Sequence, residues 1–316
     1  MENPVKKKYP RVSALSDRER IVVVKEIFST ITGKYDFLNH FLSLRRDIAW
    51  RRFALAKMHF FRTYKFLDVA CGTGELSIGA ALRYPFIRVT GVDFVSEMVQ
   101  TGENKIALRG LADKITLMQA DALKLPFADN SFDVTGIAFG IRNIPDRIQA
   151  LKEMLRVTVS GGQVMVLEMT FIQNRLFKLF YYIYLNYLLP LMTKMFSSHT
   201  EAYYYLADSI MNFPAPAAFA RLMENAGMTD VQKYPLTFGI TYLHVGKKPQ
   251  MELRHDSECG ESMDSGQPGA FFCGYIYSSV DRMAAGRQGP RPNTPREISA
   301  GAVGFADCAF HNQSGQ

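Results

Sequence analysis

Residues Phe66-Leu67-Asp68-Val69-Ala70-Cys71-Gly72-Thr73-Gly74-Glu75 carry a short apolar run straight into a turn with two glycines. The run predicts a buried strand, and the glycines predict a tight exit that opens a helix. At such a junction the backbone can approach a ligand closely, and the free N–H groups of the new helix favour an anion. A G-x-G turn alone is common, so its acidic neighbours decide what it holds. Asp93 ends the next apolar run about twenty residues further on, where a carboxylate reaches ribose hydroxyls in doubly wound sheets. Asp121, followed by Ala122, ends the third run and puts an acid and a small side chain where an adenine would lie. Asp68 precedes the turn and could orient a cationic amino group, directly or through water.

Working outward, strands are expected over residues 65–70, 88–93, 115–121, 132–139 and 163–169, alternating with amphipathic stretches of helix length. That alternation predicts a mostly parallel sheet with helices on both faces. Two further strands, 231–236 and 240–246, lie too close together for a helical crossover and predict an antiparallel hairpin. The expected fold is α/β, a doubly wound Rossmann-like sheet of about seven strands, with helices in front of it. One domain would span residues 1–249, with a helical part over 1–63 and a helical insertion over 170–215. Residues 250–316 hold 9 Gly, 4 Pro and 7 Ser but no Lys, which predicts a poorly ordered extension.

With 47% hydrophobic and 21% charged residues in a length of 316, the chain is globular rather than fibrous or wholly disordered. Four cysteines without C-x-x-C spacing exclude a disulfide-dense secreted scaffold and supply no metal ligand set, so no metal is expected. The polar start Met1–Tyr9 is followed by no apolar signal segment, and a cytoplasmic location is expected. The net charge of +7 is concentrated at the front, where residues 1–62 hold 14 Lys and Arg against 6 Asp and Glu. A basic front end suits phospholipid headgroups or nucleic acid, and equally a solvated helical face. Nucleic acid is not expected, because no interleaved aromatics and no basic stripe continue beyond residue 62.

Which nucleoside the turn holds follows from charge. The third glycine of a G-x-G-x-x-G loop is Ser77 here, and three carboxylates sit poorly beside a diphosphate. They suit S-adenosylmethionine, with its sulfonium, ammonium and diol. Asp68, Gly72, Gly74, Asp93, Asp121 and Ala122 are therefore candidate cofactor-binding residues.

Further stretches narrow the reading. They are Tyr35-Asp36-Phe37-Leu38-Asn39 with Ser43, Trp50-Arg51-Arg52, Leu125 to Asp133, and Phe139-Gly140-Ile141-Arg142-Asn143. Asp146, Glu153, Arg156-Val157, Gly161-Gly162, Leu167-Glu168, Tyr203, Tyr205-Leu206, Ser209-Ile210 and Phe213-Pro214 complete the set. With these residues, the chain resembles the menaquinone/ubiquinone biosynthesis C-methyltransferases from about Ile27 to Pro249. The resemblance implies a class I methyltransferase fold and methyl transfer from S-adenosylmethionine to a ring carbon of a prenylated hydroquinone. On matching positions it implies cofactor contacts at Thr73, Asp93, Asp121 and Ala122. Departures are Arg45-Arg46-Asp47-Ile48 in place of Gly-x-His-Arg, Ala138 in place of a serine, and Val159-Ser160 in place of Lys-Pro. The altered Arg45–Ile48 segment keeps another lipophilic or small acceptor open.

A ring carbon becomes a nucleophile when an adjacent hydroxyl loses its proton, so positioning and a group that favours the phenolate carry the catalysis. Tyr35, Asp36 and Asn39 form one candidate catalytic constellation, with capping or packing as their other role. Arg142 and Asn143 form the second, as fixed donors to a developing oxyanion; a salt bridge from Arg142 to Glu168 or Asp146 would equally explain that arginine. His199 reads as a surface loop residue and Cys71 as a small residue packed under the turn. Phe171 to Phe196 is rich in Phe, Tyr and Leu but is broken by Arg175, Lys178, Asn186, Pro190 and Lys194. It predicts two amphipathic helices that cover a prenyl channel and touch the membrane surface; a homodimer interface or plain core would use the same face.

Overall fold

The computed structural model describes residues 15–171, 182, 183, 187 and 201–250. The chain divides into units Met1–Arg254 and His255–Gln316, and every described residue belongs to the first. The Gly- and Ser-rich extension, most of Phe171–Phe196 and His199 lie outside the described residues.

Three helices open the described chain: α1 (Asp17–Ile31), α2 (Tyr35–Leu42) and α3 (Arg46–Ala56). The alternating part follows as β1 (Lys65–Val69), α4 (Glu75–Arg83), β2 (Arg88–Asp93), α5 (Ser96–Leu108), β3 (Ile115–Gln119), β4 (Phe132–Ala138), α6 (Arg147–Val157) and β5 (Thr158–Met169). After the insertion come α7 (Glu201–Met211), α8 (Pro216–Asn225), β6 (Thr229–Leu236) and β7 (Thr241–Lys247). Local chemistry sets several starts. Ser16 and Glu19 form a reciprocal capping box at α1, and the Asp146 carboxylate accepts the Gln149 N–H at 2.9 Å to start α6. Pro216 opens α8, where its missing N–H costs nothing.

The seven strands lie in the order β3-β2-β1-β4-β5-β7-β6. The first five pair in parallel, while β7 runs antiparallel to both β5 and β6. The expected hairpin is therefore present. It inserts its second strand between the first and the parallel set.

Strand alternation splits the core into two layers. Phe66 faces Trp50, Leu55 and Ile78, while Leu67 and Val69 face Met154, Val157 and Phe219 on the other side. Phe66 and Leu67 are both fully buried, so β1 is covered on both faces, as a central parallel strand requires. The largest boundary difference from expectation is at β5; β3 stops at Gln119, two residues short of Asp121, and β6 starts two residues early, at Thr229. β5 begins at Thr158, which pairs with Phe132, and the register then shifts so that Gln163 pairs near Val134. Gly161 and Gly162 lie inside this irregularity rather than before the strand. A Cβ at Gly162 would stand 2.6 Å from the Asp133 carbonyl oxygen, so only glycine admits that approach.

Asp133 also fixes the entry to β1. Its buried carboxylate accepts the backbone N–H groups of Phe61, Arg62, Thr63 and Tyr64 at 2.8–3.2 Å. Four successive backbone donors share one anion, and charge-assisted bonds of this kind are the strong ones. Replacing Asp133 by Ala is expected to lower unfolding stability by about 2–4 kcal/mol, as urea denaturation would measure. A loss within experimental error would show that water serves the loop equally well.

Candidate active site

A cleft of about 940 Å³, counting its open mouth, runs along the C-terminal ends of β1, β2 and β4. This is the edge where open α/β sheets place ligands. Its polar rim comprises Gly72, Asp93, Asp121 and Ala122; its apolar wall includes Ile21, Val24 and Phe28 of α1. Phe139, Asn143 and Ile144 close the end beyond β4.

The glycine turn leaves β1 with Ala70, Gly72 and Gly74 all at positive φ (51°, 55° and 79°), and Gly74 caps α4 in the left-handed region. The Cys71 N–H bonds the Val92 carbonyl at 2.9 Å, which ties the turn to β2. Asp93 strengthens the same tie. Its Oδ2 accepts the Gly72 N–H at 2.8 Å and its Oδ1 accepts the Val95 N–H at 2.9 Å. Each oxygen retains acceptor capacity, so the carboxylate is aimed and still able to receive a vicinal diol. Burial pushes its pKa up, and the N–H donors from Val95 and Gly72 oppose that shift. Asp121 is exposed, its Oδ1 accepts the Leu123 N–H at 2.9 Å, and with Ala122 it lines the far end of the rim.

Asp68 is placed differently. The alternation of β1 turns it with Phe66 toward α4, where it is only 1% exposed and its Oδ2 accepts a hydrogen bond from the Ser77 hydroxyl at 2.6 Å. Burial raises its carboxyl to about 7, with the Ser77 bond acting the other way. It does not line the cleft. Ser77, at the position of a third glycine, thus serves Asp68 and packs inside α4. Cys71 is buried too, and desolvation pushes its thiol pKa well up, which keeps it inert at neutral pH.

Thr73 and Asp36 are brought together. The Thr73 hydroxyl donates to Asp36 Oδ1 at 2.6 Å, and the Lys105 ammonium of α5 reaches Asp36 Oδ2 at 2.6 Å, Glu75 Oε1 at 2.9 Å and Thr73 Oγ1 at 3.0 Å. Tyr35 opens α2 in the expected helical segment, but its side chain lies outside the described residues. Lys105 was not legible from its local pattern. A lysine on an amphipathic helix reads as a solvated residue, and its partner Asp36 is 69 positions away.

Arg142 and Asn143 follow β4 in a short 3-10 turn. The Arg142 guanidinium bonds Glu168 Oε1 at 2.5 Å, with both side chains buried, and its N–H donates to Glu168 Oε2 at 3.2 Å. Of the two carboxylates considered as partners for this arginine, Glu168 is the one engaged, while Asp146 caps α6. Asn143 lines the cleft, and its Oδ1 accepts the Tyr205 hydroxyl at 3.3 Å. Arg20 of α1 and Arg147 of α6 both donate to the Arg142 carbonyl. Burial, and after it the neighbouring Arg20, lower the Arg147 pKa, while Glu168 opposes the shift. Neither Arg20 nor Arg147 was legible, since each sits on a helix with ordinary amphipathic spacing.

The Arg45–Ile48 segment builds a scaffold behind this end. Buried Asp47 bonds His40, Ser43 and Arg51, and the Arg51 guanidinium lies 5.3 Å from the centre of the Phe139 ring. Among the described residues, no group of three or more His, Cys, Asp or Glu could hold a metal ion.

The rim fits S-adenosylmethionine on its own chemistry: an aimed carboxylate for a diol, an exposed acid beside a small residue, and an apolar floor from Val92, Val95 and Met98. Comparison with known proteins agrees. The model of the ubiE/COQ5 methyltransferase family matches residues 14–248. The chain is 42% identical over 226 residues to the ubiquinone/menaquinone biosynthesis C-methyltransferase UbiE of Geotalea daltonii, covering 71% of this chain and 96% of that one. It is 38% identical over 227 residues to the demethylmenaquinone methyltransferase of Anoxybacillus flavithermus, with 72% and 95% covered. In fold it is similar to a SAM-dependent methyltransferase of Thermotoga maritima, with TM-score 0.51 at 17% identity over 71% of this chain and 99% of that one. Matched along nearly the whole length of its relatives, and by the family model over residues 14–248, the chain belongs to the ubiE/COQ5 methyltransferase family.

Proposed function

We propose that this chain methylates a ring carbon of a prenylated hydroquinone, demethylmenaquinol or its ubiquinol-pathway analogue, in quinone biosynthesis. One observation carries this reading: a single cleft joins a carboxylate rim suited to the donor nucleoside with an apolar wall that ends at Asn143 beside Arg142. The methyl donor supplies an electrophilic carbon on a sulfonium. Asp93, held by two backbone N–H groups, and the Asp121–Ala122 pair fix the nucleoside so that little ordering is left for the reactive encounter. Ile21, Val24 and Phe28 receive the apolar part of the acceptor and keep water from it.

The other end supplies the electrostatics. Glu168 locks Arg142, and Arg20 and Arg147 converge on the Arg142 carbonyl, so cations outnumber this one carboxylate around Asn143. An acceptor hydroxyl placed there loses its proton more readily than in water, and the phenolate raises electron density on the adjacent ring carbon. Of the departures from the family pattern, the Arg45–Ile48 segment stands behind Phe139, and only Ala138 faces the cleft, where it withholds a hydroxyl. That favours the quinol over an unrelated acceptor.

Peripheral contact with anionic lipid is part of the same proposal. A prenylated acceptor resides in the bilayer, the front end is basic, and Val22, Phe37 and Leu44 are exposed on the helical segment that supplies the apolar wall. No described helix is long and apolar enough to cross a membrane.

An assay with labelled methyl donor against reduced naphthoquinol and benzoquinol precursors tests the function; incorporation into neither would reject it. Arg142→Ala is expected to lower kcat by roughly a hundredfold or more with little change in donor affinity. In calorimetry, Asp93→Ala is expected to weaken S-adenosylhomocysteine binding by about 10- to 100-fold. Binding equal to that of the parent would remove Asp93 from the site.

A further inference from the structure

The Thr73 hydroxyl has a single proton, and its surroundings commit it. Lys105 donates to Thr73 Oγ1 at 3.0 Å, so the hydroxyl's own proton goes to Asp36 Oδ1 at 2.6 Å. Lys105 has three donors and spends them on Asp36, Glu75 and Thr73. In this arrangement a foreign carboxylate finds neither a free hydroxyl proton on Thr73 nor an uncommitted ammonium. It also meets one excess negative charge, since Asp36 and Glu75 together outweigh Lys105.

Yet Thr73 lies inside the glycine turn, at the start of α4, where an anion is otherwise favoured. The donor nucleoside carries one carboxylate on its amino-acid end. Asp36 is thus a carboxylate already seated on a loop that has one to receive. It arrives on α2, a helix of eight residues followed by Leu44 and Arg45 at φ 51° and 60°. Two adjacent non-glycine residues in the left-handed region mark the join to α3 as strained.

Resting on the donor assignment made above, we propose that Asp36 is a placeholder for the donor's carboxylate, with Lys105 as the residue that receives either one. When the donor binds, its carboxylate takes the Thr73 hydroxyl and a Lys105 N–H, and Asp36 withdraws with α2. The elements that leave the loop belong to the same helical segment that walls the acceptor end. Asp36 acts here as a positioning residue, and Lys105 as a binding residue for the amino-acid end of the donor.

Two ligands separate this idea from the donor assignment: S-adenosylhomocysteine, which has the carboxylate, and methylthioadenosine, which lacks the whole amino-acid end. Calorimetry on the full chain is the readout, with methylthioadenosine affinity also serving as the check that each variant is folded. Asp36→Ala is expected to bind S-adenosylhomocysteine about tenfold more tightly, because a competing charge pair is gone, and methylthioadenosine unchanged. Lys105→Met is expected to weaken S-adenosylhomocysteine by about tenfold, again with methylthioadenosine unchanged. Weaker S-adenosylhomocysteine binding by Asp36→Ala, or equal shifts for both ligands, would overturn the placeholder while leaving the donor site intact. A parent chain that binds neither ligand would overturn the donor assignment and this proposal with it.

Discussion

The short bonds from the Gly72 and Val95 N–H groups to the Asp93 carboxylate set the geometry of the site. They fasten the turn after β1 to the end of β2, and so convert two separate strand exits into one rigid edge. A turn with Ala70, Gly72 and Gly74 at positive φ has many alternatives in isolation, and a half-buried carboxylate with two N–H donors removes them. The cost is partial desolvation of a charge, which raises the Asp93 pKa. That cost is tolerable because the same oxygens remain open toward the cleft.

Around this edge, charge is sorted along the cleft. Carboxylates stand at the end where a cationic nucleoside would lie, and arginines gather past β4 where an oxyanion would form. α1 supplies the apolar wall between the two ends. It also brings Arg20 to the Arg142 carbonyl, so one helix contributes to both the burial and the electrostatics of the acceptor end. The buried pair of Arg142 and Glu168 adds little to stability on its own account, since desolvation offsets its attraction. Its value lies in holding a guanidinium still beside Asn143.

Much of the fold was legible because strand signals are local. The runs at Lys65, Arg88, Ile115 and Phe132 are short, apolar and bounded by turn residues, and their starts agree with the structure. The start of β5 was missed because Gly161 and Gly162 read as punctuation before a strand, whereas they sit in a bulge within it. Asp93, which ends β2, and Asp121, two residues past the end of β3, were legible as acids at the sheet edge. Asp68 was legible as an acid near the turn but not as a buried one; strand alternation, which turns it with Phe66 toward α4, decides that. Lys105, Arg20 and Arg147 could not be found this way. Each is an ordinary cation on an amphipathic helix, and each acquires its partner only through tertiary packing across dozens of residues. The pairing of Asp36 with Thr73 belongs to the same class, since nothing in either segment announces the other.

A crystal structure of the full chain with S-adenosylhomocysteine bound tests the central claim most directly. The account predicts the ribose hydroxyls on the Asp93 carboxylate, the adenine beside Asp121 and Ala122, and the thioether sulfur directed toward the apolar end near Asn143. A ligand seated elsewhere, or one in this cleft with its ribose away from Asp93, would contradict it.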